Sequence, residues 1–142
     1  MNLPDVNVLV NALRPDAPDH GRCLAWLNHA ANDVRPFALT SVVLAGTIRV
    51  LTHPRVFSPP SPTGVVLGEL ERLRRRPNCL PVEPGARHWA IFTGLCADAD
   101  VRGNLVPDAW LAAIAIEHGC RLITGDRDFA RFDALDWSPP PA

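Results

Sequence analysis

Short apolar runs alternate with longer stretches of helical spacing along this chain. Leu3, followed by Pro4 and Asp5, predicts a brief N-terminal strand ending near Asp5, ahead of the apolar run 8–10. Cys23, Trp26, Leu27, Ala30 and Ala31 share one face of a helix that Asp19 is placed to cap. "RPFALT" (35–40) reads as a strand leading into a helix that Ser41 is placed to cap, with Val42, Val43, Leu44, Ala45, Ile48 and Leu51 as its apolar positions. The segment 52–62 is a proline-rich loop. Ser61 and Pro62 then open a helix that carries Val66, Leu67, Leu70 and Leu73 and closes on Arg74, Arg75 and Arg76 before Pro77. "CLPVEP" (79–84) is a candidate strand, and 86–97 has helical spacing. Pro107 and Asp108 open a helix that runs through His118 and stops at Gly119. "CRLITGD" (120–126) is a compact buried strand, Asp128 is placed to cap a turn over "FARF", Trp137 marks a last edge strand, and the tail 138–142 is expected to fray.

Strands that alternate with helices, and are short and apolar, predict an α/β fold with a parallel sheet covered on both faces. At 142 residues with no repeat and no long linker, 1–142 reads as a single domain. The longest wholly apolar run, 109–116, is too short to cross a bilayer. The N-terminus has no basic start and no cleavable signal pattern, so the expected location is the cytoplasm. The four cysteines form no C-x-x-C pair and read as reduced, mostly buried small hydrophobes. The net charge of −1 supplies no strong overall pull toward nucleic acid. All 14 basic residues are arginine, which fits GC-rich coding better than selection for phosphate contacts. The absence of lysine removes every mechanism that needs one.

In open parallel sheets, ligands bind beyond the carboxyl ends of the strands. Asp5 follows the first strand, Asp126 and Asp128 follow the strand near the C-terminus, and Asp108 starts a helix expected on the same edge. Carboxylates that converge raise one another's pKa unless a cation lies between them, and hard oxygen donors suit Mg²⁺ or Mn²⁺. Such an ion supports phosphodiester hydrolysis. The plainer reading is that Asp108 and Asp128 are N-caps and that Asp5 solvates a turn.

"LPDVNVLVNAL" near the start, "VPDAWLAAIAIEHGCRLITGDRDFARF" near the end and "RVLTHPRVF" between them resemble the PIN-domain ribonucleases. More narrowly, they resemble the VapC-type toxins of bacterial, especially actinobacterial, toxin–antitoxin modules. The resemblance implies a three-layer α/β/α sandwich and Mg²⁺- or Mn²⁺-dependent endonucleolytic cleavage of RNA, leaving a 5′-phosphate and a 3′-hydroxyl. It implies that Asp5, Asp108 and Asp126 are catalytic and hold the metal, that Asn7 orients ligands or water, that Thr124 is the hydroxyl at the rim and that Asp128 is auxiliary. It also implies a VapB-type antitoxin that covers the acidic cleft, often with an arginine among the carboxylates, and a homodimer. The expected substrates are tRNA or rRNA loops, with Arg49, Arg55, Arg102 and Arg127 as candidate RNA contacts.

One position departs from the pattern. Where relatives read like "LAEFLRVLTHPRVF", this chain reads "LAGTIRVLTHPRVF", which puts Gly46 at the glutamate position. Either the natural protein lacks that ligand, or a glutamate codon has changed to glycine through a single base. The second reading is favoured, since the surrounding motif is intact and the glycine has no evident structural use. An impaired nuclease is expected, and a PIN-like module that binds RNA or antitoxin without cutting is the alternative. A receiver-like domain or a dehalogenase-type phosphatase would need the lysine this chain lacks, and the phosphatase also a D-x-D where Asp5-Val6-Asn7 stands. The motifs of a zinc deaminase are absent.

Overall fold

The computed structural model describes residues 1–142. Its elements run β1 (Asn2–Pro4), α1 (Val6–Leu13), α2 (His20–Asn32), β2 (Phe37–Leu39), α3 (Ser41–Leu51), α4 (Thr63–Arg74), β3 (Cys79–Pro81), α5 (His88–Asp98), α6 (Val106–Glu117), β4 (Arg121–Ile123) and β5 (Trp137–Ser138). The five strands form one sheet in the order β3-β2-β1-β4-β5, and every pairing is parallel. The chain steps outward from β1 to β3, then crosses back to β4. Right-handed crossovers therefore place α1 to α4 on one face and α5 and α6 on the other. The helix contacts agree: α1 packs on α2 and α3, while α5 packs on α6. The result is the expected α/β/α sandwich, with β1 at its centre.

The core is apolar on both faces of the sheet. Leu3, Ala38 and Leu122 are fully buried, and α6 contributes Ala109, Ala112, Ala113, Ile114 and Ala115, each at 0% exposure. An apolar run that long fits a helix enclosed nearly all round. All four cysteines are free; Cys23 and Cys120 are buried, Cys79 and Cys96 partly so. No helix is long and apolar enough to cross a membrane.

Several local expectations change. The first strand ends before Asp5 as expected, and the run 8–10, which the sequence reading assigned to no element, belongs to a helix, α1. Its valines favour strands, but Asn7 and Asn11 at i, i+4 leave the remaining faces apolar, and burial of Val8, Leu9 and Val10 outweighs propensity. Thr40, and not Ser41, holds the N-cap position of α3 and makes no capping bond; Ser41 instead donates its N–H and hydroxyl to Glu83, at 2.8 and 2.7 Å. Pro62 occupies the cap position of α4. Asp19 stands at the N-cap of α2 without a side-chain capping bond. The tail is tied as far as Pro141: Ser138 belongs to β5, and the Arg22 Nε donates to the Pro140 carbonyl at 2.6 Å and to that of Pro141 at 3.3 Å.

Candidate active site

The register of the sheet assembles the site. Pro4 lies opposite Ile123, so Asp5 and Thr124 leave the sheet side by side. The Asp5 N–H donates to the Ile123 carbonyl at 2.9 Å. Asp5 then caps α1, its Oδ1 accepting from the Val6 N–H at 2.7 Å. Its Oδ2 accepts from the Thr124 hydroxyl at 2.8 Å and from Asn7 Nδ2 at 2.9 Å. Asn7 Nδ2 also donates to Thr124 Oγ1 at 3.0 Å, and its Oδ1 accepts from the Gly125 N–H at 3.1 Å. Thr124 Oγ1 accepts in turn from the Asp126 N–H at 3.0 Å. Asn7 is thus a staple between α1 and the loop after β4. Thr124 is fully buried beneath the site and does not stand at its rim.

The other carboxylates stand over this network. Asp126 caps the 3-10 turn Arg127–Arg131, accepting from the Asp128 N–H at 2.9 Å. The cap is therefore Asp126, where the sequence suggested Asp128. Asp108 is no cap either: it sits inside the first turn of α6, behind Pro107. Capping explains Asp5 and Asp126, whereas Asp108 and Asp128 have no such local employment.

Carboxylate oxygens of Asp108, Asp126 and Asp128 all lie within 4.8 Å of one another. This is not the trio expected from the sequence. Asp5 lies close enough for its charge to raise Asp108, but it is outside the tightest group and mostly buried, with both oxygens engaged by the chain. Asp128, expected as an auxiliary, stands in that group. Burial, and then the charges of Asp126, Asp5 and Asp128, hold the Asp108 carboxyl at about 6, against a smaller opposing effect of Arg131. Burial also raises Asp5, while its bonds from Thr124, Val6 and Asn7 pull the other way.

Three hard oxygen donors at this separation fit one divalent cation bound at about 2.0–2.6 Å. The mutual repulsion that lifts Asp108 is what such a cation would relieve.

Gly46 turns out to have a use. A Cβ built there would stand 2.8 Å from Val6 Cγ2, inside van der Waals contact. The glycine lets α3 approach the first turn of α1, next to Asp5. The sequence offers no sign of this contact, because its partner lies far along the chain.

Of the arginines named from the sequence, Arg127 sits in the 3-10 turn between Asp126 and Asp128. Arg102 pairs with Asp100 at 2.8 Å, out in solvent. Arg49 and Arg55 are exposed on α3 and in the loop after it, and neither bonds to the cluster. The arginine that faces the acids is one the sequence reading missed. Arg131 Nε donates to the Asp128 carbonyl at 3.0 Å, and its guanidinium lies 3.9 Å from that carboxylate. Its i, i+3 spacing from Asp128 was the available signal.

A PIN domain family model matches residues 3–135. The chain belongs to the PIN-domain family. Ribonuclease VapC25 of Mycobacterium tuberculosis is 42% identical over 143 aligned positions, spanning 99% of each chain. Ribonuclease VapC43 of the same species is 42% identical over 136 positions, 96% of this chain and 92% of that one. Two solved structures share the fold at lower identity. FitAcB from Neisseria gonorrhoeae superposes with a TM-score of 0.70 at 22% identity, covering 99% of this chain and 98% of that one. VapBC2 from Rickettsia felis, bound to a DNA fragment from their promoter, gives 0.69 at 19% identity, covering 97% of each.

Proposed function

We propose that this PIN domain is a divalent-metal-dependent endoribonuclease, the toxin of a toxin–antitoxin pair. The observation that carries this reading is the group of carboxylates at the sheet edge, Asp108, Asp126 and Asp128, with Asp5 locked beside them. The full-length likeness to proteins named ribonucleases supports it. Mg²⁺ or Mn²⁺ is the fitting ion, held by Asp108, Asp126 and Asp128 with Asp5 adjacent. When bound, it supplies Lewis-acid stabilisation of charge on a phosphoryl group.

The chain's own residues prepare the place. Thr124 and Asn7 fix Asp5 in one rotamer. The Thr124 hydroxyl orders the Asp126 backbone, and Arg131 tempers the negative field over Asp128. The partners that fit are a VapB-type antitoxin offering a cation to the acids, a second copy of this chain as a homodimer, and an RNA such as a tRNA or rRNA loop in the cytoplasm. The non-cutting alternative draws on Gly46. A glycine with a packing use is weaker evidence of a lost ligand than a glycine with none.

The test is cleavage of total RNA by the purified chain with Mg²⁺ or Mn²⁺, alongside Asp108→Asn. The expected result is new 5′-phosphate ends in the parent, loss of at least about 10²-fold in the variant, and none with a chelator. Binding of RNA and antitoxin with no metal-dependent cleavage would instead establish the non-cutting module.

A further inference from the structure

A cavity of about 370 Å³ opens directly beside the carboxylates and shares Asn7 and Asp126 with them. Its far wall is the first turn of α2, with Asp19 and Arg22, and its floor includes Pro140. The wall is more polar than apolar, with Asn7, Asn11, Asp19, Arg22 and Asp126 among its residues, so the cavity suits a hydrated or hydrogen-bonding ligand better than an apolar one.

Arg22 is placed at some cost. It is the third residue of α2, where the helix presents its positive end and a cation is disfavoured. No carboxylate compensates it. Its Nε donates to the Pro140 carbonyl at 2.6 Å and less directly to that of Pro141 at 3.3 Å, while its terminal nitrogens have no protein partner. The side chain is therefore anchored by the tail, with its outer donors free. Asp19, across the first turn, has a carboxylate with no capping bond and no ion pair. A free fork of donors and a free acceptor face one cavity beside the candidate cleavage site.

Resting on the ribonuclease reading, we propose that this cavity receives one unstacked nucleotide of single-stranded RNA next to the scissile phosphate. Arg22 contacts its phosphate, and Asp19 accepts from amino or imino donors on its base. Guanidinium and phosphate match in geometry, and the contact supplies positive charge where the acids would otherwise repel the backbone. Unpaired bases can be splayed into such a cavity, whereas a duplex cannot enter it. The tail is then a positioning segment for a substrate contact.

The experiment compares the full chain, Arg22→Gln, Asp19→Ala, a chain shortened by residues 139–142, and Arg72→Gln. Arg72 lies in the last turn of α4, at the opposite edge of the sheet, and serves as control. Binding of a fluorescein-labelled single-stranded RNA is read by anisotropy across a salt series, with cleavage kinetics and circular dichroism in parallel. Arg22→Gln is expected to weaken binding roughly tenfold and to lower the slope of log Kd against log salt by about 0.7, raising KM with little change in kcat. The shortened chain reproduces part of that loss. Asp19→Ala changes the base preferred at one position without altering the salt slope. Arg72→Gln changes nothing. RNA binding by Arg22→Gln equal to the parent, in a folded variant of an active parent, overturns the proposal. So does loss of antitoxin binding alone, which would assign the cavity to the protein partner. If the parent itself neither binds nor cuts RNA, it is the ribonuclease reading that fails.

Discussion

Thr124 and Thr40 follow the two strands that pair with β1, and continuing the register of each pairing sets both beside Asp5. Both are fully buried. The Thr124 hydroxyl is saturated: it donates to Asp5 and accepts from Asn7 and from the Asp126 N–H. The Thr40 hydroxyl has no partner at all. The same residue type at equivalent places does opposite work. On the β4 side of Asp5, the buried hydroxyl is tied into the acidic group. On the β2 side, the neighbours are α3 and its Gly46, which meets Val6 with no side chain of its own. The site of this chain is one-sided, built from β1, β4 and α6. The fourth acid expected from the β2 side is absent, and a Cβ at its position would meet Val6 Cγ2 at 2.8 Å.

The largest test of this asymmetry is Thr124→Val. It removes one of the two bonds that Asp5 Oδ2 accepts and one of the two that the Asn7 amide donates, and it leaves the Asp126 N–H without its partner. Each unsatisfied group costs about 1–3 kcal/mol, so a drop of that order in unfolding free energy is expected in denaturant titration. Displacing Asp5 and Asp126 by about 1 Å would also slow RNA cleavage roughly 10²-fold. Retention of parental stability and rate would make the two threonines equivalent and dissolve the distinction.

The crowded carboxylates set the next effect. In the metal-free protein Asp108 titrates at about 6 and Asp5 is also raised, both above the unfolded aspartate value of 3.8. Between those values the native state holds more protons than the unfolded one, so stability falls as pH rises through the window and stays lower above it. A divalent ion binds the ionised form. Mg²⁺ or Mn²⁺ should therefore raise Tm more at about pH 7.5 than at about pH 5. Equal shifts at both would mean that the acids are not the binding site.

Gly46→Ala gives a smaller change. The methyl group gains helix propensity of about 1 kcal/mol but meets Val6 at 2.8 Å, and overpacking costs about 1–3 kcal/mol. A net loss near 1 kcal/mol is expected, recovered when Val6→Ala is added, as a double-mutant cycle would show. Gly46→Glu meets the same valine, so cleavage faster than the parent's is expected only with Val6→Ala beside it. A faster rate with Gly46→Glu alone would return the β2 side to the site. Smallest of all is Thr40→Val: replacing a partnerless buried hydroxyl with a methyl should leave Tm unchanged or slightly higher.

The sequence displayed the acids well and their roles less well. Asp5, Asp108 and Asp126 are legible because strand ends and helix starts are written locally, in Pro4, Pro107 and the apolar runs beside them. Which of "DRD" is the cap is not, since Asp126 and Asp128 are equally good capping residues and only the turn geometry chooses. Helix α1 was obscured by its valines, although Asn7 and Asn11 four apart carried the helical period. Gly46 was unreadable for a different reason: its justification is a contact with Val6, and nothing in the local pattern reports a neighbour that distant. Arg22 was legible in principle, as a cation at the wrong end of a helix.

The pairing of Asn2, Leu3 and Pro4 with Arg121, Leu122 and Ile123 also governs when the site exists. Contacts that far apart in sequence form late, after nearby segments have organised. During synthesis β1 and α1 emerge early, yet Asp5 has no Thr124, and the cluster has neither Asp126 nor Asp128, until the ribosome has passed β4. Any nascent or prematurely terminated chain stopping before that point carries Asp5 and even Asp108 without an assembled centre. A centre wired in this way stays unassembled while the chain is being made.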